Sequence, residues 1–174
     1  MDIRKAALRD MEKILAIYQY AREQMRLGGN PDQWGMEYPS PELIQRDISR
    51  GNSYVVEEGE EIHGVFAFIP GDDPTYQRIE DGAWLNEEDY GTIHRIAGSG
   101  KRKGIFHACT CFCEKKVSNI RIDTHERNLI MQHLIEKNGY HKCGRIYVED
   151  GSPRIAYQKE VSSEKGITGE GLGT

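Results

Sequence analysis

The residues best placed to hold an anion fall in one stretch, Ile93-His-Arg-Ile-Ala-Gly-Ser-Gly-Lys-Arg-Lys-Gly-Ile-Phe106. An apolar run ends in Gly98, Gly100 and Gly104, with Lys101, Arg102 and Lys103 set among them, and a second apolar run opens at Ile105. A strand, a glycine loop and a helix start in that order aim backbone N–H groups and the positive end of a helix dipole at a negative charge. Tyr90 to Cys113 contains no Asp or Glu and carries +4, inside a chain whose net charge is −5, so the remainder carries −9. Two familiar phosphate loops do not fit. For a Walker A loop, Arg95 stands where the first Gly belongs and Arg102 follows Gly100-Lys101. For a dinucleotide fingerprint, Lys103 takes the third glycine position and Gly104 comes one residue late. A plain tight turn is the competing reading of the three glycines.

Groups able to move a proton are fewer. His94 precedes the loop, while His125 and Glu126 follow a later apolar run. Histidine titrates near neutrality, which suits a general base; a lone histidine is also a common structural hydrogen-bonder. Arg95 is a candidate contact for an acidic acceptor. Strand alternation puts it opposite His94, so only one of the two faces a given cleft unless a bulge intervenes. Trp34, Tyr38, Tyr76 and Trp84 lie in loop-like segments, where they read either as core plugs or as the wall of an acceptor pocket. The run from His107 through Cys109, Cys111 and Cys113 invites a metal reading. Structural zinc usually takes paired C-x2-4-C knuckles, and only Cys143 lies elsewhere to complete one. On a helix Cys109 and Cys113 share a face while Cys111 points away. The run is therefore read as a buried helix face and no metal is expected.

These groups need a scaffold, and 174 residues with 37% hydrophobic side chains are enough to bury a core without disulfides or metal. No apolar run approaches the roughly 20 residues of a membrane span. The acidic balance disfavours nucleic acid as a partner. The opening MDIRKAALRD lacks an apolar leader, which together with free thiols fits the cytoplasm. Apolar spacing predicts a helix from Asp10 to about Met25, and Ser40-Pro41 starts a second one. Strands follow at 53–57 and 62–70, then a long polar connection over 71–89 of the kind that serves as a lid or binding loop. Beyond it come a strand at 92–97, the glycine loop, a helix from Ile105 to about Val117, a strand at 119–124 and a helix at 127–138. Gly139 ends that helix, and a hairpin spans 140–148 and 154–159. Residues 161–174 read as a flexible tail on a single domain of residues 1–160. The fold class is α/β (α+β): a mixed, mostly antiparallel sheet with helices on both faces.

Lys101-Arg-Lys-Gly104-Ile-Phe106 resembles the pyrophosphate loop Arg/Gln-x-x-Gly-x-Gly/Ala of the GNAT superfamily of acetyl-coenzyme A-dependent N-acetyltransferases. Lys101 replaces Arg/Gln, and Phe106 replaces the last small residue, where its ring is expected to crowd the pyrophosphate or shift the helix start. Asn128 opening a helix that closes on Gly139-Tyr140, and a first strand at Ile3–Ala6, match the family as well; the resemblance covers about residues 1–160. It implies acetyl-coenzyme A as cosubstrate, gripped by Ile96, Ala97 and Gly98 on the strand, by Lys101, Arg102, Lys103, Gly104, Ile105 and Phe106 at the loop, and by Asn128. It further implies an amine acceptor lodged among Trp34, Tyr38, Trp84 and Arg95, with His94 or His125 as base, in a monomer or homodimer. The family's usual acid, a Tyr, is Ile135 here. Tyr140 or Tyr147 would have to substitute, or the thiolate leaves unassisted. A coenzyme A-binding domain without catalysis and a Cys/His metal-binding interaction protein are the alternatives.

Overall fold

The computed structural model describes residues 1–162; the expected tail lies, beyond that point, outside the described residues. Its elements run in the order β1 (Asp2–Lys5), α1 (Met11–Leu27), α2 (Pro41–Ser49), β2 (Ser53–Glu58), β3 (Glu61–Pro70), β4 (Gly91–Gly98), α3 (Ile105–Glu114), β5 (Asn119–Thr124), α4 (Leu129–Lys137), β6 (His141–Tyr147) and β7 (Pro153–Glu160). All seven strands join one sheet in the order β1-β2-β3-β4-β5-β7-β6. Each neighbouring pair is antiparallel except β4 and β5, which are parallel and enclose α3 as their crossover.

Helix ends follow local chemistry. The Ser40 hydroxyl accepts the Leu43 N–H at 3.2 Å, with Pro41 in the first turn. The Asn128 side chain accepts the Met131 N–H at 3.1 Å, so α4 starts at Leu129 rather than Arg127. Asp10 does not cap α1 with its side chain. Its carboxylate takes the Arg4 guanidinium at 2.8 and 3.0 Å and the Ala7 N–H at 2.8 Å, tying the first strand to the helix.

Apolar faces sort into three clusters. Ile93, Ile105, Cys109, Ile120, Ile122 and Ile135 fill the space between the sheet and α3/α4. Ile14, Ile17, Tyr18, Ile44, Val55 and Val65 join α1 and α2 to the opposite face. The segment 71–90 covers the rest of that face by setting Tyr76 and Tyr90 against Ile146 of β6 and Ala156 of β7, anchored by paired backbone bonds between Glu80 and Arg145 at 2.8 and 2.9 Å. Among the described residues, no helix is long and apolar enough to cross a membrane.

Candidate active site

The centre of the sheet is split. Strands β4 and β5 pair only at Gly91–Ile120 and Thr92–Arg121, then part. A groove of about 1190 Å³ runs from the free end of β4, at Ile96, Ala97 and Gly98, past the glycine loop and across α3 to α4 and Lys159. A second hollow of about 250 Å³ adjoins it along the same β4 residues, bounded by the end of α1 and the start of α4. Gly104 stands at the N-terminus of α3 with φ 81°, and no side chain caps the first turn. Among the described residues the N–H groups of Ile105, Phe106 and His107 have no backbone acceptor. Three bare donors at a helix start, with the dipole behind them, are the kind of group that can receive a negative charge.

The residues expected to hold the coenzyme are unequally placed. Ile96, Ala97, Gly98, Arg102, Lys103, Gly104, Ile105 and Phe106 all line the groove, and Asn128 lines the adjoining hollow. Lys101 lines neither. Arg102 is paired with Glu58 at 3.0 Å. Phe106 is buried in the α3-side core while still forming part of the groove wall. Tyr20 of α1 lies off the helix's buried stripe, so the apolar spacing of the sequence does not single it out. It walls both the groove and the hollow and packs against Gly100, whose φ of 76° and lack of a side chain make room for the phenol.

His94 and Arg95 lie on the same face, contrary to simple alternation. Two steps of β3, Val65 to Ala67, span three of β4, Ala97 to His94, so β4 carries a bulge, and Arg95 takes φ 53°. His94 Nε2 meets Asp73 Oδ2 at 2.8 Å, and Thr75 also donates to Asp73 from its N–H and its hydroxyl. Burial pushes the Asp73 carboxyl up, but the hydrogen bonds from His94 and Thr75 outweigh it and bring it down to about 2. An ionised Asp73 can only accept, so the proton of this bond sits on His94 Nε2. His125 is arranged the other way. Its Nδ1 accepts the Arg127 N–H at 3.1 Å, and burial with the nearby Arg154 charge lowers its pKa. Glu126 is exposed.

Arg95 is not free to meet an acceptor. Its guanidinium grips Asp47 of α2 with two bonds of 2.8 Å and donates to Tyr38 Oη at 3.3 Å. The two side chains of this ion pair are 9% and 10% exposed. Removing one partner strands the other charge, so Arg95→Ala is expected to cost about 3 kcal/mol in urea unfolding. Arg95→Gly, which relieves the positive φ, is expected to cost about 1 kcal/mol less. A loss indistinguishable from zero in Arg95→Ala would mean the pair does not hold the bulge.

Trp34 stacks edge-on with Tyr18 at 5.7 Å and lies 6.2 Å from Tyr38, so Trp34, Tyr38 and Arg95 form one group. Trp84 belongs to another. It packs on Tyr76 at 5.2 Å, covers the Arg121 guanidinium at 4.1 Å and donates its indole N–H to the Tyr76 carbonyl. Ile135 is fully buried, Tyr140 lies in the same core, and Tyr147 donates to Glu80. Cys109 and Cys113 are buried, and burial pushes the Cys113 thiol up to about 12. Cys111 faces the groove beside His107, 3.5 Å from its Nε2. Among the described residues no three His, Cys, Asp or Glu side chains gather as a metal site would require.

The fold is a seven-stranded sheet parted at its centre, with an uncapped helix start at the parting. Solved structures agree. An acetyltransferase of the GNAT family from Streptococcus agalactiae is 31% identical, with 93% of this chain and 96% of that one covered and a TM-score of 0.85. A GNAT-family acetyltransferase from Listeria monocytogenes shares the fold at 23% identity and TM-score 0.68, over 92% of this chain and 94% of that one. No protein-family model and no curated protein sequence matches. The chain belongs to the GNAT family of acetyltransferases.

Proposed function

We propose that the protein transfers an acetyl group from acetyl-coenzyme A to a primary amine of a small molecule or peptide by direct attack. The observation that carries this reading is the uncapped start of α3 at the mouth of the parted strands β4 and β5. The donor set there fits a pyrophosphate, and the groove running along Ile96–Gly98 is open to an extended arm. Acetyl-coenzyme A supplies an activated thioester carbonyl. The chain's own residues bind and manage protons. The Ile105–His107 amides and Lys103 hold negative charge, and Asn128 stands beside the arm. His94 is the base: its Nδ1 lone pair takes the amine proton, and Asp73 steadies the imidazolium that results. Trp34 and Tyr38 are the aromatic wall offered to the acceptor. Ile135, Tyr140 and Tyr147 are not part of the groove wall, so the thiolate leaves without help from any of the three. The test is calorimetry with acetyl-coenzyme A followed by thiol release across a panel of amines. Submillimolar binding and amine-dependent release are expected; no binding at millimolar concentration would sink the reading, and binding without release on any amine would leave a coenzyme-binding domain.

A further inference from the structure

Three side-chain amides are chained where the 28–40 segment crosses the start of α4. The first is fixed by the backbone, since Asn128 Oδ1 must face the Met131 N–H at 3.1 Å. Its Nδ2 therefore points outward and donates to Gln33 Oε1 at 3.0 Å. Gln33 consequently presents oxygen on this side, and Asn30 can meet it only with its own Nδ2, at 2.8 Å. The chain leaves one group over. Asn30 is 3% exposed, and its Oδ1 is a buried acceptor without a partner among the described residues. Such an atom costs the folded protein about 1–3 kcal/mol unless something donates to it. The amide cannot turn to escape, because turning would set two oxygens against each other at Gln33.

Asn30 is part of the wall of the 250 Å³ hollow, which shares Ile96, Ala97, Gly98, Ile130 and Met131 with the larger groove. The hollow thus lies beside the path along β4. Among the described residues its wall contains no carboxylate, and its one charged residue is Arg127. An ammonium group would find a cation there and no counter-charge, so the donor that fits is a neutral amide N–H. We infer that Asn30 Oδ1 is a binding contact for the coenzyme arm, receiving one of its two amide N–H groups, and that Gln33 and Asn128 hold the carbonyl in that orientation. This rests on the acetyl-coenzyme A reading above.

Titration of the full chain with coenzyme A and with adenosine 3′,5′-bisphosphate, which has no arm, tests it. Asn30→Ala is expected to weaken coenzyme A about tenfold while leaving the bisphosphate within about twofold. Coenzyme analogues with each arm amide replaced by an ester provide a second measurement that needs no variant. One of them should bind the wild type about tenfold more weakly, and Asn30→Ala should not distinguish it from the parent. Equal affinity of wild type and variant for coenzyme A, or equal losses for both ligands, would overturn the inference and leave Asn30 a brace for its segment. If Asn30→Ala does not fold, undiminished binding of both ester analogues overturns it. Failure of the wild type to bind coenzyme A at all would overturn the function instead.

Discussion

Gly104→Asp is expected to abolish coenzyme A binding while leaving the fold intact. Gly104 adopts φ 81° immediately before α3, a region that Asp tolerates better than most residues. A Cβ there would meet only Met1 Cε, at 3.8 Å, so crowding is not the issue. A carboxylate beside the N–H groups of Ile105 and Phe106 is favourable to the helix itself, since it supplies a negative charge where the dipole calls for one. The same feature makes it harmful to ligand binding: the side chain takes the donors a pyrophosphate would use and repels it. Two unit charges about 5 Å apart at an effective dielectric of about 20 repel by about 3 kcal/mol, roughly two hundredfold in affinity. Gly104→Ala isolates the backbone contribution, with a loss of about 1–2 kcal/mol in stability and little in affinity. Calorimetry and thermal melting of both variants separate the effects. Unchanged affinity in Gly104→Asp would mean that the anion site lies elsewhere.

The glycine loop was legible because its requirements are local. Gly100 and Gly104 both take positive φ, and a strand before with a helix after is enough to aim the amides. Ser40, Asn128 and Gly139 marked element ends for similar reasons of capping and turn chemistry. What escaped sequence reasoning is long-range. The bulge that brings His94 and Arg95 to one face depends on β3 and β4 being out of step, and on Asp47, 48 residues away, fixing the guanidinium. Alternation along β4 alone gives the opposite answer. Asp73 belongs to a connection whose path is set by Tyr90 and by the Glu80–Arg145 pairing, so nothing near His94 in the sequence points to its partner. Trp84 and Tyr38 read alike as large side chains in loops, yet one covers Arg121 and the other touches Arg95. The residue type of Phe106 is visible in the sequence, but its burial in the α3-side core is not.

That hidden Asp73–His94 pair sets the second large expectation. His94→Ala is expected to lower kcat about 10²–10⁴-fold, the range of a positioned general base. The dissociation constant of coenzyme A should stay within twofold of wild type, because His94 is not part of the groove wall. His125→Ala, whose Nδ1 lone pair is already committed to the Arg127 N–H, should change kcat by less than about threefold. The reverse ranking would transfer the base to the end of β5. Asp73→Asn separates positioning from packing, since the amide keeps the volume but loses the charge that pins the Nε2 proton; its kcat should fall with coenzyme affinity unchanged. Stability supplies an independent check on the pair. The Asp73 carboxyl titrates at about 2 in the folded protein and near 3.9 in an unfolded chain. Between those values the unfolded chain binds more protons, so the stabilisation is present above about pH 4 and is lost as pH falls toward 2. The urea midpoint of the wild type should therefore drop across that window more steeply than that of Asp73→Asn. Parallel curves would show that Asp73 carries no charge-dependent bond to His94, and the base would lose the partner that makes it one.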